Sequence, residues 1–204
     1  MYFKMICIVD YQLGNLRSIF KAFEAIGQKV IISQSEKDIK SASKLILPGV
    51  GSFYQGMQNL YALNLFDLLK YEVLNKKKPI LGICLGMQLF CKYGYEGGGC
   101  EGLDFVNAEV LQFSLKKEKL LHSGWDNVSY VKESALFRDI KEHSDFYFLH
   151  SYYVKCDENI ESSFCNYEIN FCASFEKDNI FATQFHPEKS QKIGLKLLEN
   201  FVNL

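Results

Sequence analysis

The stretch Ile80-Leu-Gly-Ile-Cys-Leu-Gly-Met-Gln-Leu-Phe90, ILGICLGMQLF, decides the fold. Pro79 to Ile83 reads as a short buried strand, and Leu85 to Tyr93 as the helix that follows it. Cys84 stands at the junction, between Gly82 and Gly86. This is the layout G-x-nucleophile-x-G, in which glycines permit a tight strand-to-helix turn that holds a reactive side chain in a strained pose. Two readings of Cys84 are open. One is a small buried hydrophobe among seven cysteines. The other is a nucleophile whose thiolate is favoured by the N–H groups and dipole of the next helix. In that second case the Leu85 N–H points where an oxyanion would develop.

The same alternation extends outward on both sides. Lys4 to Asp10 (KMICIVD) reads as a buried strand. Asn15 can cap a helix carrying Leu16, Ile19, Phe20, Phe23 and Ile26 at helical spacing, and Gly27 ends it. A strand over Lys29–Ser33, a helix over 36–43 and a strand over Lys44–Leu47 follow, the last stopped by Pro48-Gly49. Leu60 to Leu74 is helical by periodicity. Short buried strands alternating with helices predict right-handed βαβ units: an α/β fold, mostly parallel in its central sheet, with helices on both faces. From about residue 105 the chain turns strand-rich: 105–113, 127–132, 146–154, 164–167, and a hairpin over 171–185 turning at Lys177-Asp178-Asn179. Residues 190–203 close it as a helix. No repeat or linker divides residues 1–204, so one domain is expected.

Composition excludes several classes. A net charge of −1 points to neither nucleic acid nor a membrane surface. The run Lys76-Lys77-Lys78 reads as a solvated turn. The first apolar stretch is too short for a signal-peptide core, and no window approaches a membrane span, so a cytoplasmic protein is expected. Seven cysteines, odd in number and without CxxC spacing, argue against a zinc site or a disulfide framework. Gly97-Gly-Gly-Cys-Glu-Gly102 matches GxGxxG formally, but a helix precedes it and a strand follows. It therefore reads as a flexible loop and not a dinucleotide site. No metal or cofactor is expected.

A thiolate nucleophile needs a base, and the base an orienter. Of the four histidines, His122, His143, His150 and His186, the last has the suggestive context Gln184-Phe-His-Pro-Glu188. Pro187 pushes His186 into an extended conformation, where residues two apart project to one side. Glu188 can then fix the imidazole. The plain alternative is a strand exit followed by a helix-capping acid.

Gly82-Ile-Cys-Leu-Gly-Met-Gln88, followed about a hundred residues later by His186-Pro-Glu188, resembles the class I glutamine amidotransferases. Within them, Asp10-Tyr11, Gly14-Asn-Leu-Arg-Ser18, Leu47-Pro-Gly-Val-Gly51, His150-Ser-Tyr-Tyr153 and Gln184-Phe-His-Pro-Glu-Lys-Ser190 resemble the branch of glutaminase subunits of imidazole glycerol phosphate synthase. The resemblance implies a flavodoxin-like sandwich and a Cys84-His186-Glu188 triad that hydrolyses glutamine. It implies an oxyanion held by the Leu85 N–H and by an N–H from Gly49, Val50 or Gly51. Glutamine would also be contacted by Gln88, one helical turn after Cys84, and by Ser151 and Tyr152. The ammonia would pass to a (β/α)8-barrel cyclase subunit in a heterodimer serving histidine biosynthesis, met by Tyr11, Asn15, Trp125 and Lys189. Two departures stand out. His122-Ser-Gly-Trp-Asp126 carries Ser123 and Asp126 where the branch usually has Met and Asn, and Gln12-Leu13 replace a glycine and a bulky residue. They leave open a paralogue feeding another synthase, such as one aminating a nucleotide sugar or surface-glycan precursor.

Overall fold

A computed structural model describes residues 5–116, 119–131 and 134–204. In the first half, β1 (Ile6–Val9), α1 (Leu16–Ala25), β2 (Val30–Ser33), α2 (Glu36–Ser41) and β3 (Lys44–Leu47) follow one another. Next come α3 (Phe53–Ala62), α4 (Leu65–Lys70), β4 (Ile80–Ile83) and α5 (Leu85–Leu89). The strand-rich half holds β5 (Cys91–Gly94), β6 (Cys100–Glu101), β7 (Val106–Gln112), β8 (His122–Tyr130), β9 (Ser144–His150), β10 (Tyr152–Cys156), β11 (Glu161–Tyr167), β12 (Ile169–Lys177) and β13 (Ile180–Thr183). The helix α6 (Gln191–Val202) closes the chain.

The sheet runs β2-β1-β3-β4-β13-β12-β10-β7-β5-β6. Its first five strands are parallel; β12 runs antiparallel to β13, and β10 antiparallel to β12. Both faces of the parallel part are covered, as its continuous apolar strands require. Cys7 and Val9 point into a core with α3 and α5, whereas Ile6 and Ile8 point into a second core with α1 and α6. β8 and β9 pair with each other, and β8 joins the main sheet through β11.

The register aligns the strand ends that matter. Leu47 sits beside Gly82, and Ile83 beside Thr183. The segments Pro48–Gly51, Cys84–Leu85 and Gln184–Glu188 therefore leave the sheet together at its C-terminal edge, where ligands of open α/β sheets bind.

Local chemistry explains the helix starts. Asn15 Oδ1 accepts from the Ser18 N–H at 3.3 Å, and Ser52 Oγ from the Gln55 N–H at 3.3 Å. Several expectations shift. The helix expected over 60–74 begins earlier, at Phe53, and breaks at Asn64, whose φ of 55° is a left-handed turn that asparagine tolerates. A π-helical stretch, Tyr71–Asn75, completes it. The helix expected over 85–93 stops at Leu89, because Cys91–Gly94 pairs with β7 instead. The strand expected over 146–154 is two strands, broken at Ser151. The strand expected over 127–132 starts at His122; Lys132 lies outside the described residues, as does Lys4 of the first strand.

Two surface expectations also change. Lys78 is not solvated: its Nζ pairs with Glu72 at 2.7 Å and donates to the Ile39 and Lys40 carbonyls. The glycine run is not a free loop. It forms a 3-10 turn at Glu96–Gly98, tied down by the Glu96 carboxylate, which accepts the Phe53 N–H at 2.7 Å. No helix among the described residues is long and apolar enough to cross a membrane.

Candidate active site

Cys84 lies between β4 and α5 with φ 53° and ψ −107°, a strained conformation for a residue with a side chain. Its N–H donates to the Thr183 carbonyl at 2.7 Å. The flanking glycines serve a purpose the sequence reading placed elsewhere. Cys84 itself carries the unusual backbone, and the glycines clear space around it. A Cβ on Gly86 would sit 1.7 Å from the Leu47 carbonyl oxygen, and one on Gly82 would sit 2.6 Å from the Phe90 ring.

The imidazole of His186 and the carboxylate of Glu188 meet as their spacing predicts, with Nδ1 to Oε1 at 2.9 Å and both side chains about 2% exposed. The segment is clamped onto β9. The His186 N–H donates to the Tyr147 carbonyl at 2.9 Å, and Ser190 Oγ bridges the Tyr147 N–H (3.0 Å) and the His186 carbonyl (2.7 Å). The other ring nitrogen, Nε2, is buried with no hydrogen-bond partner among the described residues. Burial pulls the His186 pKa down. The Cys84 sulfur facing it and the Glu188 carboxylate outweigh burial and push it up to about 10.

That value carries a stability prediction. The imidazole binds its proton more tightly folded than unfolded, so the stabilisation is complete below 6.5 and is lost as pH rises towards 10. Denaturant melts across that window should show the decline in the wild type. The slope should flatten in Cys84→Ala, where the strongest charge partner is gone.

A cavity of about 370 Å³ opens over Cys84, lined by Val50, Gly51, Leu85, Gln88 and the Leu149–Tyr152 corner. A larger hollow of about 690 Å³ beside Trp125, His143 and Ser190 does not have Cys84 in its lining. Around the sulfur, the thiol lies 3.8 Å from the Leu149 carbonyl, and Gln184 Nε2 donates to it at 3.7 Å. Gln88 is 4% exposed, and its Nε2 donates to both Gln184 Oε1 and the Tyr152 carbonyl at 3.0 Å. The Gln88 amide nitrogen therefore braces the cavity wall, leaving only its oxygen for a ligand. Gln184 had no assigned part in the sequence reading. Its place beside the sulfur depends on the β13 exit and on Gln88, which are visible only in three dimensions.

Four residues were expected at a partner face. Asn15 is exposed, and Trp125 is 47% exposed. Trp125 packs edge-on against Tyr147, over whose ring Lys189 Nζ lies at 5.4 Å. Tyr11 departs from the expectation: it is fully buried. Its hydroxyl occupies the space a Gly49 Cβ would need, 2.0 Å from that position. The loop before α1 packs directly on Pro48–Gly51, so burial of Tyr11 is what joins the two segments.

The Tyr11 hydroxyl has no hydrogen-bond partner among the described residues. Burial, then the nearby Cys84, pushes its pKa well up. An orphaned buried hydroxyl costs about 1–3 kcal/mol, so Tyr11→Phe should raise stability by roughly 1 kcal/mol and Tm by about 2–4 °C. Thermal unfolding followed by circular dichroism checks this.

The sheet is that of a known class. The chain belongs to the class-I glutamine amidotransferases, whose family profile matches residues 7–204. Within that class it is 54% identical, over 98% of its length and all of the relative's, to "imidazole glycerol phosphate synthase subunit HisH 1" of Campylobacter jejuni (strain RM1221). It is 47% identical to the HisH subunit of Methanocaldococcus jannaschii, over 98% of this chain and 100% of that one. The structure of PurLQS from Thermotoga maritima shares the fold, with a TM-score of 0.74 at 18% identity, covering 98% of this chain and 97% of that one.

Proposed function

We propose that residues 1–204 act as one glutaminase domain of imidazole glycerol phosphate synthase. It hydrolyses glutamine to glutamate and ammonia and passes the ammonia to a (β/α)8-barrel cyclase subunit. The cyclase makes imidazole glycerol phosphate and aminoimidazole carboxamide ribotide for histidine biosynthesis. The observation that supports this reading is that the His186–Glu188 pair and Cys84 leave neighbouring strands at one sheet edge, with Cys84 in the wall of a cavity large enough for an amino acid. The names of relatives at 54% and 47% identity support the histidine-pathway acceptor over a sugar-aminating synthase.

Chemically, the Cys84 thiolate attacks the side-chain amide carbon of glutamine. The resulting oxyanion is held by the Leu85 N–H, in the first turn of α5 where no intrahelical acceptor exists, and by an N–H of Gly49, Val50 or Gly51. Glycine at 51, with φ 123°, allows that segment to reorient its peptides. The His186 imidazolium, oriented by Glu188, gives its proton to the departing nitrogen. Ammonia leaves and a glutamyl thioester remains. Neutral His186 then takes a proton from water, whose oxygen attacks the thioester; glutamate departs and the thiolate is restored.

Ammonia released into bulk water would be protonated and lose its nucleophilicity, so the acceptor must dock over the site. Asn15, Trp125 and Lys189 form the docking side in this account. The test is to mix the purified chain with the barrel subunit and measure glutamate from glutamine. The rate should rise on mixing, and Glu188→Gln should lower it by about 10²–10⁴-fold. Unchanged glutamate formation in Glu188→Gln would remove the carboxylate from the mechanism.

A further inference from the structure

The cavity wall contains His150, which this chemistry does not use, and a second histidine, His122, lies against it. His122 opens β8 and His150 ends β9, directly opposite one another in the register. His122 Nδ1 lies 3.1 Å from His150 Nε2, His122 Nε2 lies 3.1 Å from Asp126 Oδ2, and His150 Nδ1 lies 2.9 Å from the Tyr152 carbonyl.

We propose that Asp126, His122 and His150 form a charged positioning relay, with His122 an imidazolium, that fixes the Tyr152 carbonyl in the wall of the Cys84 cavity. The proton count requires a charge. A carbonyl only accepts, so His150 Nδ1 carries a hydrogen. A carboxylate only accepts, so His122 Nε2 carries another. The contact between the two rings needs a third. Two neutral imidazoles hold two such hydrogens, so the relay holds one more than neutral rings supply.

Three observations place the extra proton on His122. Asp126 is 32% exposed, open to solvent, and a carboxyl group is intrinsically a weaker base than imidazole. The His122 ring lies between Phe148 and Tyr167, nearly parallel to both, with centroids 4.6 and 4.1 Å away, so two aromatic faces flank the cation. His150 is disfavoured as the cation: burial, helped by the charges of His122 and His186, drives its pKa to about 3 against the pull of the Tyr152 carbonyl.

The Cys165 sulfur lies within 4.8 Å of a ring nitrogen of His122 and a carboxylate oxygen of Asp126. Burial and then Asp126 push its pKa to about 12, so it faces the relay as a thiol. The relay ends on a carbonyl that also accepts from Gln88, so it acts on the same corner, Leu149–Tyr152, that lines the cavity. The kinetic consequence rests on the glutaminase reading; the charge does not.

Nitrogen-15 NMR of the histidine side chains tests the charge. Both His122 nitrogens should be protonated at neutral pH in the wild type. Asp126→Asn, whose amide can donate to Nε2, should return the ring to the neutral pattern. A neutral His122 in the wild type would overturn the relay. So would one equivalent of bound zinc that is lost in Cys165→Ser, since a metal ion would then stand where the proton is assigned.

Positioning is tested with His122→Phe, which keeps the stacking and removes the hydrogen bonds. KM for glutamine should rise about fivefold to tenfold, the worth of one hydrogen bond, with kcat changed less than about twofold; an unchanged KM would overturn positioning. If wild-type protein turned over no glutamine, the glutaminase reading would fail, and the NMR pattern would still decide the relay.

Discussion

Cys84→Ala should abolish glutamine turnover, lowering kcat by about 10⁴-fold or more while the protein still folds and binds glutamine. The magnitude follows from the role: without the sulfur there is no thioester, and what remains is the acceleration from binding and the oxyanion donors alone. The fold should survive because the substitution fits the site. Alanine keeps the Cβ, and what is lost is a sulfur with long contacts to the Leu149 carbonyl and the Gln184 amide, together with its charge interaction with His186. The backbone at φ 53° is no worse for alanine than for cysteine. Glutamate release measured with the barrel subunit present gives the rate, and calorimetric titration with glutamine gives the binding. Residual activity within tenfold of the wild type would contradict the nucleophile assignment.

Gly86→Ala should have the largest effect on the fold. Its Cβ would sit 1.7 Å from the Leu47 oxygen and 2.8 Å from the Leu47 carbonyl carbon, both backbone atoms of a central strand. No side chain can swing aside to relieve this, so β3 and α5 must move apart. A backbone shift of that kind costs about 3–5 kcal/mol, at the severe end for single substitutions, and should lower Tm by roughly 10 °C. Activity should fall with it, because Leu47 leads into Pro48–Gly51 and α5 begins with Leu85. Gly27→Ala is the comparison: nothing lies within 4 Å of its Cβ, and only its φ of 73° is unfavourable, so about 1 kcal/mol is expected. Equal melting temperatures for Gly86→Ala and the wild type would show that the close approach is not structural.

The contrast between these two glycines shows what the sequence made legible. The spacing of Gly82, Cys84 and Gly86 marked the junction, and Pro187 between His186 and Glu188 marked the other half of the site. Both signals are local, set by backbone geometry within a few residues. The parallel strands were legible for a related reason: runs such as KLIL and ILGI are apolar on both faces, which only a sheet covered on both sides requires.

What the sequence did not disclose depended on pairing between distant segments. Cys91–Gly94 has the composition of a helix end, yet β7 claims it as a strand. Lys78 sits in a basic run, but Glu72 and two carbonyls draw it inward. Tyr11 was expected at a partner face from the family resemblance, and the space above Gly49 took it inside. His122 and His150, 28 residues apart, are neighbours because β8 and β9 pair.

The central claim is that the sulfur at position 84 becomes covalently bonded to the glutamyl group. Acid-quenched protein, sampled during turnover of glutamine with the barrel subunit present, should carry one glutamyl adduct by intact-mass spectrometry. Peptide mapping should locate it on Cys84, and Cys84→Ala should carry none. Glutamate accumulating at the wild-type rate with no adduct on Cys84, or with Cys84→Ala equally active, would contradict the account.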